Sequence, residues 1–241
     1  MSSGPSRDRV PSVSAMNASD IERALEAAES SIAHGGGLAG TGFWKAVAAV
    51  KREPALVDAY AERIGVIDRQ AFEGWALLAV PVAVGTLLMI GATVVGLGLT
   101  WWAYASEPPL NGLLLLAGTF AVLGATHGLA HQAVGRMVGM RFTHWFIGAL
   151  SRPQPGVKVD YATYLRVPAR KRAWMHAAGA LLGKVVPFLA IPPALVMEAP
   201  GWTVIVLAVF GLVQILTDIF WSTKASDWKK VRRELKFVEE R

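Results

Sequence analysis

The stretch LNGLLLLAGTFAVLGATHGLAHQAV, residues 110–134, decides how this chain folds. It runs for 25 residues without Asp, Glu, Lys or Arg. At a helical rise of about 1.5 Å per residue it is long enough to cross a hydrocarbon core of about 30 Å. Three more runs of this kind extend from Trp75 to Trp102, from Trp174 to Met197 and from Trp202 to Thr223. The first is over-long for a bilayer and is expected to tilt. Gly85, Ala92 and Gly96 give it small side chains for close helix contact. The reading is an all-α integral membrane protein with four transmembrane helices.

Composition agrees with that reading. Of 241 residues 53% are hydrophobic and 17% charged, and the mean hydropathy is +0.39, too apolar for an ordinary soluble domain. The chain has no Cys, which excludes disulfide scaffolds, thiolate metal sites and cysteine nucleophiles together. A formal charge of +6 would suggest nucleic acid in a soluble protein. Here the basic residues flank apolar spans, so no nucleic-acid partner is expected and membrane lipids are. Eight Lys and Arg precede Trp75, eight lie between the second and third spans, and seven follow Asp218. The turns near Ser106 and Ala199 have none, and Lys184 alone lies within a span. The positive-inside rule then places both termini in the cytoplasm.

The spans set the boundaries. Residues 1–17, rich in Ser, Pro and Arg, read as a disordered tail without a cleavable signal peptide. Residues 18–73 read as a cytoplasmic helical appendage with few apolar anchors, opened by a capping box from Ser19 to Glu22, with Pro54 at the start of a later helix. Residues 74–224 form the transmembrane domain. Residues 225–241 carry Trp228, Val231, Leu235 and Val238 at helical spacing among basic residues, and read as an amphipathic helix on the inner leaflet. Between the second and third spans, VKVDYATYL from Val157 to Leu165 alternates as a strand does.

Few polar groups lie inside the spans, and such groups are usually kept for a reason. His127 and His131 share a helix face, as two ligands of one metal must. His127 and Asp218 lie about 25 and 24 Å from the starts of two parallel spans, so the three side chains can meet. Two imidazoles and a carboxylate suit one zinc ion with a fourth position for water. Lys184, about 16 Å into the third span, offers another outcome, an ion pair with Asp218 and no metal. His144 and His176, beside Trp145 and Trp174, read as interfacial. Pro187, Pro192 and Pro193 are expected to kink the third span.

From about Thr126 to Trp228 the chain resembles the site-2 protease family of intramembrane zinc metalloproteases. His127-Gly-Leu-Ala-His131 is similar to the family's His-Glu-x-x-His, and QAVGRMVGMRF follows it with Gly139 at a matching glycine. The segment from Val157 resembles the family's edge strand, and VPARKRAWMHAAGALLG its entry into the next helix. Thr217-Asp218-Ile219 stands where the family has Leu-Asp-Gly. The resemblance implies zinc on His127, His131 and Asp218, with a client segment pairing at Val157, Val159 and Tyr161.

It also isolates what has changed. Gly128 replaces the family's general-base Glu, Gly183 replaces its Asn near the substrate carbonyl, and Ile219 replaces the Gly after the Asp ligand. Loss of a positioned base costs about 10² to 10⁴ in rate. The expectation is a degenerate, hydrolase-like protein that keeps the metal, has lost or altered peptidase activity, and binds or regulates transmembrane clients. Gly128→Glu is expected to restore the motif. Two alternatives stand: an active metallopeptidase with an unconventional base, in which Lys184 can replace the missing oxyanion donor, and a metal-free scaffold held by Lys184 and Asp218.

Overall fold

The structure, a computed structural model, describes residues 16–150, 153–220 and 226–239. The tail expected over residues 1–17 therefore lies almost wholly outside the described residues, as does Thr223 at the expected end of the fourth span. The chain divides between Gly74 and Trp75 into two compact units.

The first unit contains α1 (Ala18–Ala33), α2 (Phe43–Val50) and α3 (Pro54–Trp75) up to Gly74. Its first helix opens two residues earlier than the Ser19–Glu22 spacing suggests. Asn17 caps it, accepting from Asp20 N at 2.9 Å, and the Asp20 carboxylate accepts from Asn17 N at 3.3 Å. Ser19 is diverted into donating to the Asn17 side chain at 2.7 Å. Pro54 does open α3. The unit has more apolar anchors than the sequence suggested: Ile21, Leu25, Phe43, Val50 and Ile64 are fully buried. Arg63 on α3 adds a two-bond fork to Glu29 on α1, at 2.7 and 2.8 Å, and also meets Glu22.

The second unit runs β1 (Ala76–Pro81), α4 (Val82–Tyr104), α5 (Leu110–Met137), β2 (Phe142–Gly148), β3 (Pro155–Val159), α6 (Tyr161–Arg166), α7 (Ala169–Leu189), α8 (Ile191–Val196), α9 (Gly201–Phe220) and α10 (Asp227–Glu239). Four segments are long and apolar enough to cross a membrane: Val82–Tyr104, Leu110–Met137, Ala169–Val196 and Gly201–Asp218. Their outer faces expose large apolar side chains such as Leu87, Val94 and Ile205, as lipid-facing helices do. The prolines mark the break between α7 and α8: Pro187 lies in the last turns of α7, and Pro192 and Pro193 occupy the first turn of α8.

Helix α5 packs against both α4 and α7. It meets α4 backbone to backbone at Gly96 and Gly118, where a Cβ on either would lie 2.8 or 2.5 Å from the other's carbonyl oxygen. After α5 the chain reverses at Gly139, whose φ of +96° suits a glycine, while Met140 N bonds back to Gly135 O at 2.9 Å.

All-α is too simple a description. An antiparallel sheet in the order β1-β2-β3 accompanies the helices. Two of its strands were hidden in the sequence. Residues 76–81 are as apolar as a span, so the run beginning at Trp75 merged strand with helix; the span starts at Val82 and needs no unusual length. The strand expected over 157–165 stops at Val159, because the Asp160 side chain caps α6 by accepting from Thr163 N at 3.0 Å. Tyr161 is therefore helical, and Val157 and Val159 pack toward the buried cluster of Met140, Phe142, Tyr164 and Met175. Helix α10 is docked on α7. Val231 and Trp228 pack against Ala173 and Ala177, and Glu234 forms a buried ion pair with Arg172 at 2.6 Å. Its buried face carries Val231, Glu234 and Phe237, whereas Leu235 and Val238 of the expected apolar stripe are exposed.

Candidate metal centre

The two histidines on α5 are turned toward α7 and find almost bare backbone there. A Cβ at Gly179 would lie 2.3 Å from His131 Nε2, and one at Gly183 would lie 3.3 Å from His127 Nδ1. Two glycines four residues apart on α7 thus seat two imidazoles four residues apart on α5. His131 is buried, and His127 is partly exposed at the edge of the cavity described below.

The carboxylate that joins them is Asp227. Its Oδ2 lies 3.2 Å from His127 Nε2 and 3.1 Å from His131 Nε2, and the two Nε2 atoms are 3.3 Å apart. Ligands about 2.0–2.1 Å from a tetrahedral ion stand about 3.3 Å from one another, so this triangle has the size a metal requires. Among the described residues this is the group of three that can hold a metal ion. Asp218, expected as the third ligand, is drawn elsewhere: it pairs with Lys184, and its Oδ1 accepts from Ser226 Oγ at 3.3 Å. Ion pair and metal group were read as alternatives for one aspartate, and the fold gives each its own.

The protons favour a cation at the centre of the triangle. His131 Nδ1 lies 2.7 Å from the carbonyl oxygen of Met175, which can only accept, so Nδ1 carries the hydrogen. In the neutral ring Nε2 is then a lone pair aimed at a carboxylate oxygen, which is repulsive unless a proton or metal ion sits between them. The same Nδ1 bond orients the ring as outer-shell partners orient ligating histidines. Asp227 is prepared as well. It begins α10, where the helix dipole favours an anion, and its other oxygen accepts from Lys230 Nζ at 2.9 Å. Burial works against its charge, but with a proton between each facing Nε2 and the carboxylate the two imidazoles, together with Lys230, outweigh that and hold its carboxyl well below the usual carboxylate range.

Gly128 does not face this group. A Cβ there would lie 2.5 Å from Cη2 and Cζ3 of Trp145. This indole enters from β2 between α5 and α4, where its near end rests on Gly85, 2.3 Å from a Cβ placed there. Its Nε1 donates to Thr86 Oγ1 at 3.2 Å, and the Gln132 amide closes on the same hydroxyl at 2.9 Å. Trp145 is therefore a buried wedge rather than an interfacial anchor, and it fills the place that the resemblance gives to a general base. His176 is likewise committed inside, to the Tyr164 hydroxyl at 2.9 Å. Trp174 is exposed.

Beside the triangle lies a cavity of about 290 Å³ lined by His127, Gly183, Lys184, Gln214, Asp218 and Asp227, among others. Val157, Val159 and Tyr161 are not among the residues lining it. The sequence reading missed Asp227, Gly179 and Trp145. Asp227 was legible in part, as an acidic residue at the head of a basic helix. Compared with family models, with curated proteins and with solved structures, the chain matches none.

Proposed function

We propose that this chain is a polytopic membrane protein with both termini in the cytoplasm. In this reading it holds one zinc ion on His127, His131 and Asp227, resembles site-2 proteases in frame, lacks their peptidase activity, and binds or regulates transmembrane clients. The observation that carries the reading is the pairing of a metal-sized His/His/Asp triangle with an indole over the residue that would have to be the base. Zinc suits two imidazoles and a carboxylate in a site with no Cys, and it would supply Lewis acidity at a fourth position. The residues of the chain do the rest. Met175 O fixes the His131 tautomer, Lys230 fixes Asp227, and Glu234 with Arg172 fixes the helix that carries Asp227. None of these groups is a carboxylate placed to take a proton from water at that fourth position, and Trp145 prevents Gly128 from being replaced by one. Lys184, engaged with Asp218 and Ala180 O, supplies no base either.

The test is elemental analysis of the purified protein together with a cleavage assay on a transmembrane substrate. About one zinc per chain is expected in the wild type and in Asp218→Asn, with loss in His131→Ala and Asp227→Asn. Cleavage is expected in none. Zinc lost in Asp218→Asn but kept in Asp227→Asn would move the ligand back to Asp218, and chelator-sensitive cleavage by the wild type would overturn the loss of activity.

A further inference from the structure

Helix α10 sorts its charges by face. Asp227 is turned inward to His127, His131 and Lys230, and Glu234 is turned inward to Arg172. Lys229, Arg232, Arg233 and Lys236 are exposed. Residues three, four and seven places apart on a helix are neighbours, so these basic side chains form one row along the outer face. Arg232, Arg233 and Lys236 have no ion pair among the described residues.

The row also has a level. Lys184 Nζ lies 5.6 Å from the centre of the Trp228 ring while Arg172 meets Glu234, so α10 runs antiparallel to α7. Trp174 on α7, which is exposed, then stands level with the middle of the row, and tryptophans near the end of a span mark the headgroup layer. The docked helix thus holds its basic row where lipid phosphates lie. Leu235, exposed beside the row, adds an apolar edge, which suits a lipid surface better than a water-soluble acidic protein. Docked and released forms of the helix would not bind such lipids equally. Released, α10 would bring Asp227 and Glu234 to the anionic leaflet in the middle of the apolar face that has to enter it. Docked, it hides both acids and presents the basic row. A ligand shifts an equilibrium only by its differential affinity for the two states, and here the difference favours the docked form.

We propose that anionic lipids of the cytoplasmic leaflet bind the outer face of α10 and hold the helix on α7, so that bilayer charge sets how firmly Asp227 is kept beside His127 and His131. The proposal rests on the membrane reading above, and it extends the metal reading by naming the partner that regulates the site.

Hydrogen exchange of the α10 amides tests it, with the protein in nanodiscs of phosphatidylcholine alone or mixed with phosphatidylglycerol. A chelator is present, so that metal plays no part. Protection is expected to rise at least about fivefold with phosphatidylglycerol, the worth of one basic residue at an anionic surface. High salt should erase the rise. The double variant Arg232→Gln, Arg233→Gln should match the wild type in phosphatidylcholine and lose most of the rise, since neither side chain is packed inside. In wild type loaded with zinc, release of the ion to added chelator should slow when phosphatidylglycerol is present. Equal protection in the two lipids, protection that falls with phosphatidylglycerol, or a double variant that responds as the wild type does would overturn the proposal. So would the same rise with soluble glycerol phosphate over phosphatidylcholine, which would make the surface a site for free anions. A chain that shows the lipid response but holds no zinc supports the proposal and sinks the metal reading alone. A chain that does not enter nanodiscs sinks the membrane reading and the proposal with it.

Discussion

Trp145 over Gly128 makes a prediction opposite to the one the sequence motif suggests. Introducing a side chain at residue 128 should damage the helix contact rather than restore a protease. A Gly→Ala change inside a helix ordinarily gains about 0.5–1 kcal/mol. Here the new Cβ would stand 2.5 Å from Cη2 and Cζ3 of the indole, which is wedged at its other end against Gly85 and cannot retreat. Overpacking of this kind costs about 1–3 kcal/mol, so Gly128→Ala should be destabilising on balance. Trp145→Phe removes both offending atoms, and in that background Gly128→Ala should be neutral or mildly stabilising. Trp145→Phe also loses the bond to Thr86, but that loss is common to both backgrounds and cancels in a double-mutant cycle. The coupling should therefore be about 1–3 kcal/mol in favour of the double variant. Reversible unfolding in mixed micelles followed by far-ultraviolet circular dichroism measures it. Effects that add to within about 0.3–0.5 kcal/mol would show that the indole does not lie on Gly128. Gly128→Glu should give no metal-dependent cleavage, and cleavage by that variant would refute the reasoning directly.

Glu234→Gln should leave the buried Arg172 charge without its partner, at a cost of about 3–5 kcal/mol. Limited proteolysis should then release α10, and metal affinity should fall although no ligand has been touched; an unchanged digest would show that the pair does not hold the helix. In the first unit, the fork from Arg63 is the main reason that the Glu29 carboxyl titrates below its ordinary value of 4.5. The unfolded chain binds more protons just below that value, so the contribution of Glu29 is full above pH 4.5 and is lost as pH falls through the lower folded value. Glu29→Gln should flatten that part of the acid limb, and a proton-titration curve by NMR with no depression at Glu29 would remove the basis for it. Reporter fusions after Ser106 and Ala199 should read outside, and fusions at Pro153 and at the C-terminus inside; a cytoplasmic signal at Ser106 would overturn the four-span orientation.

The four long apolar helices were legible because hydropathy is a property of long windows and each helix fills one. The short sheet was not legible for the same reason. Ala76–Pro81 is indistinguishable from the start of a span by composition, and only its pairing with Phe142–Gly148 across more than sixty residues makes it a strand. His127 and His131 could be read as a pair because helical periodicity places them on one face. Asp227 could not be chosen over Asp218 from depth along two ideal helices, since the choice depends on Lys184 capturing Asp218 and on α10 folding back onto α7. Gly128 was read as a missing carboxylate on the resemblance alone. That its place is filled by Trp145 is a tertiary fact, carried by a residue that the sequence placed at the membrane surface.

The distance along the chain between His131 and Asp227 is 96 residues. An ion shared by them would act as a reversible staple in a protein that has no cysteine with which to make a permanent one. For a freely unfolding chain, a closed loop of about this size corresponds to about 4.7 kcal/mol of restrained entropy. In the membrane reading proposed above, inserted helices keep much of their order when the rest loosens, so the gain would be smaller and fall mainly on the C-terminal helix. Availability of the metal would then be felt first as whether that helix stays shut against the core or swings free.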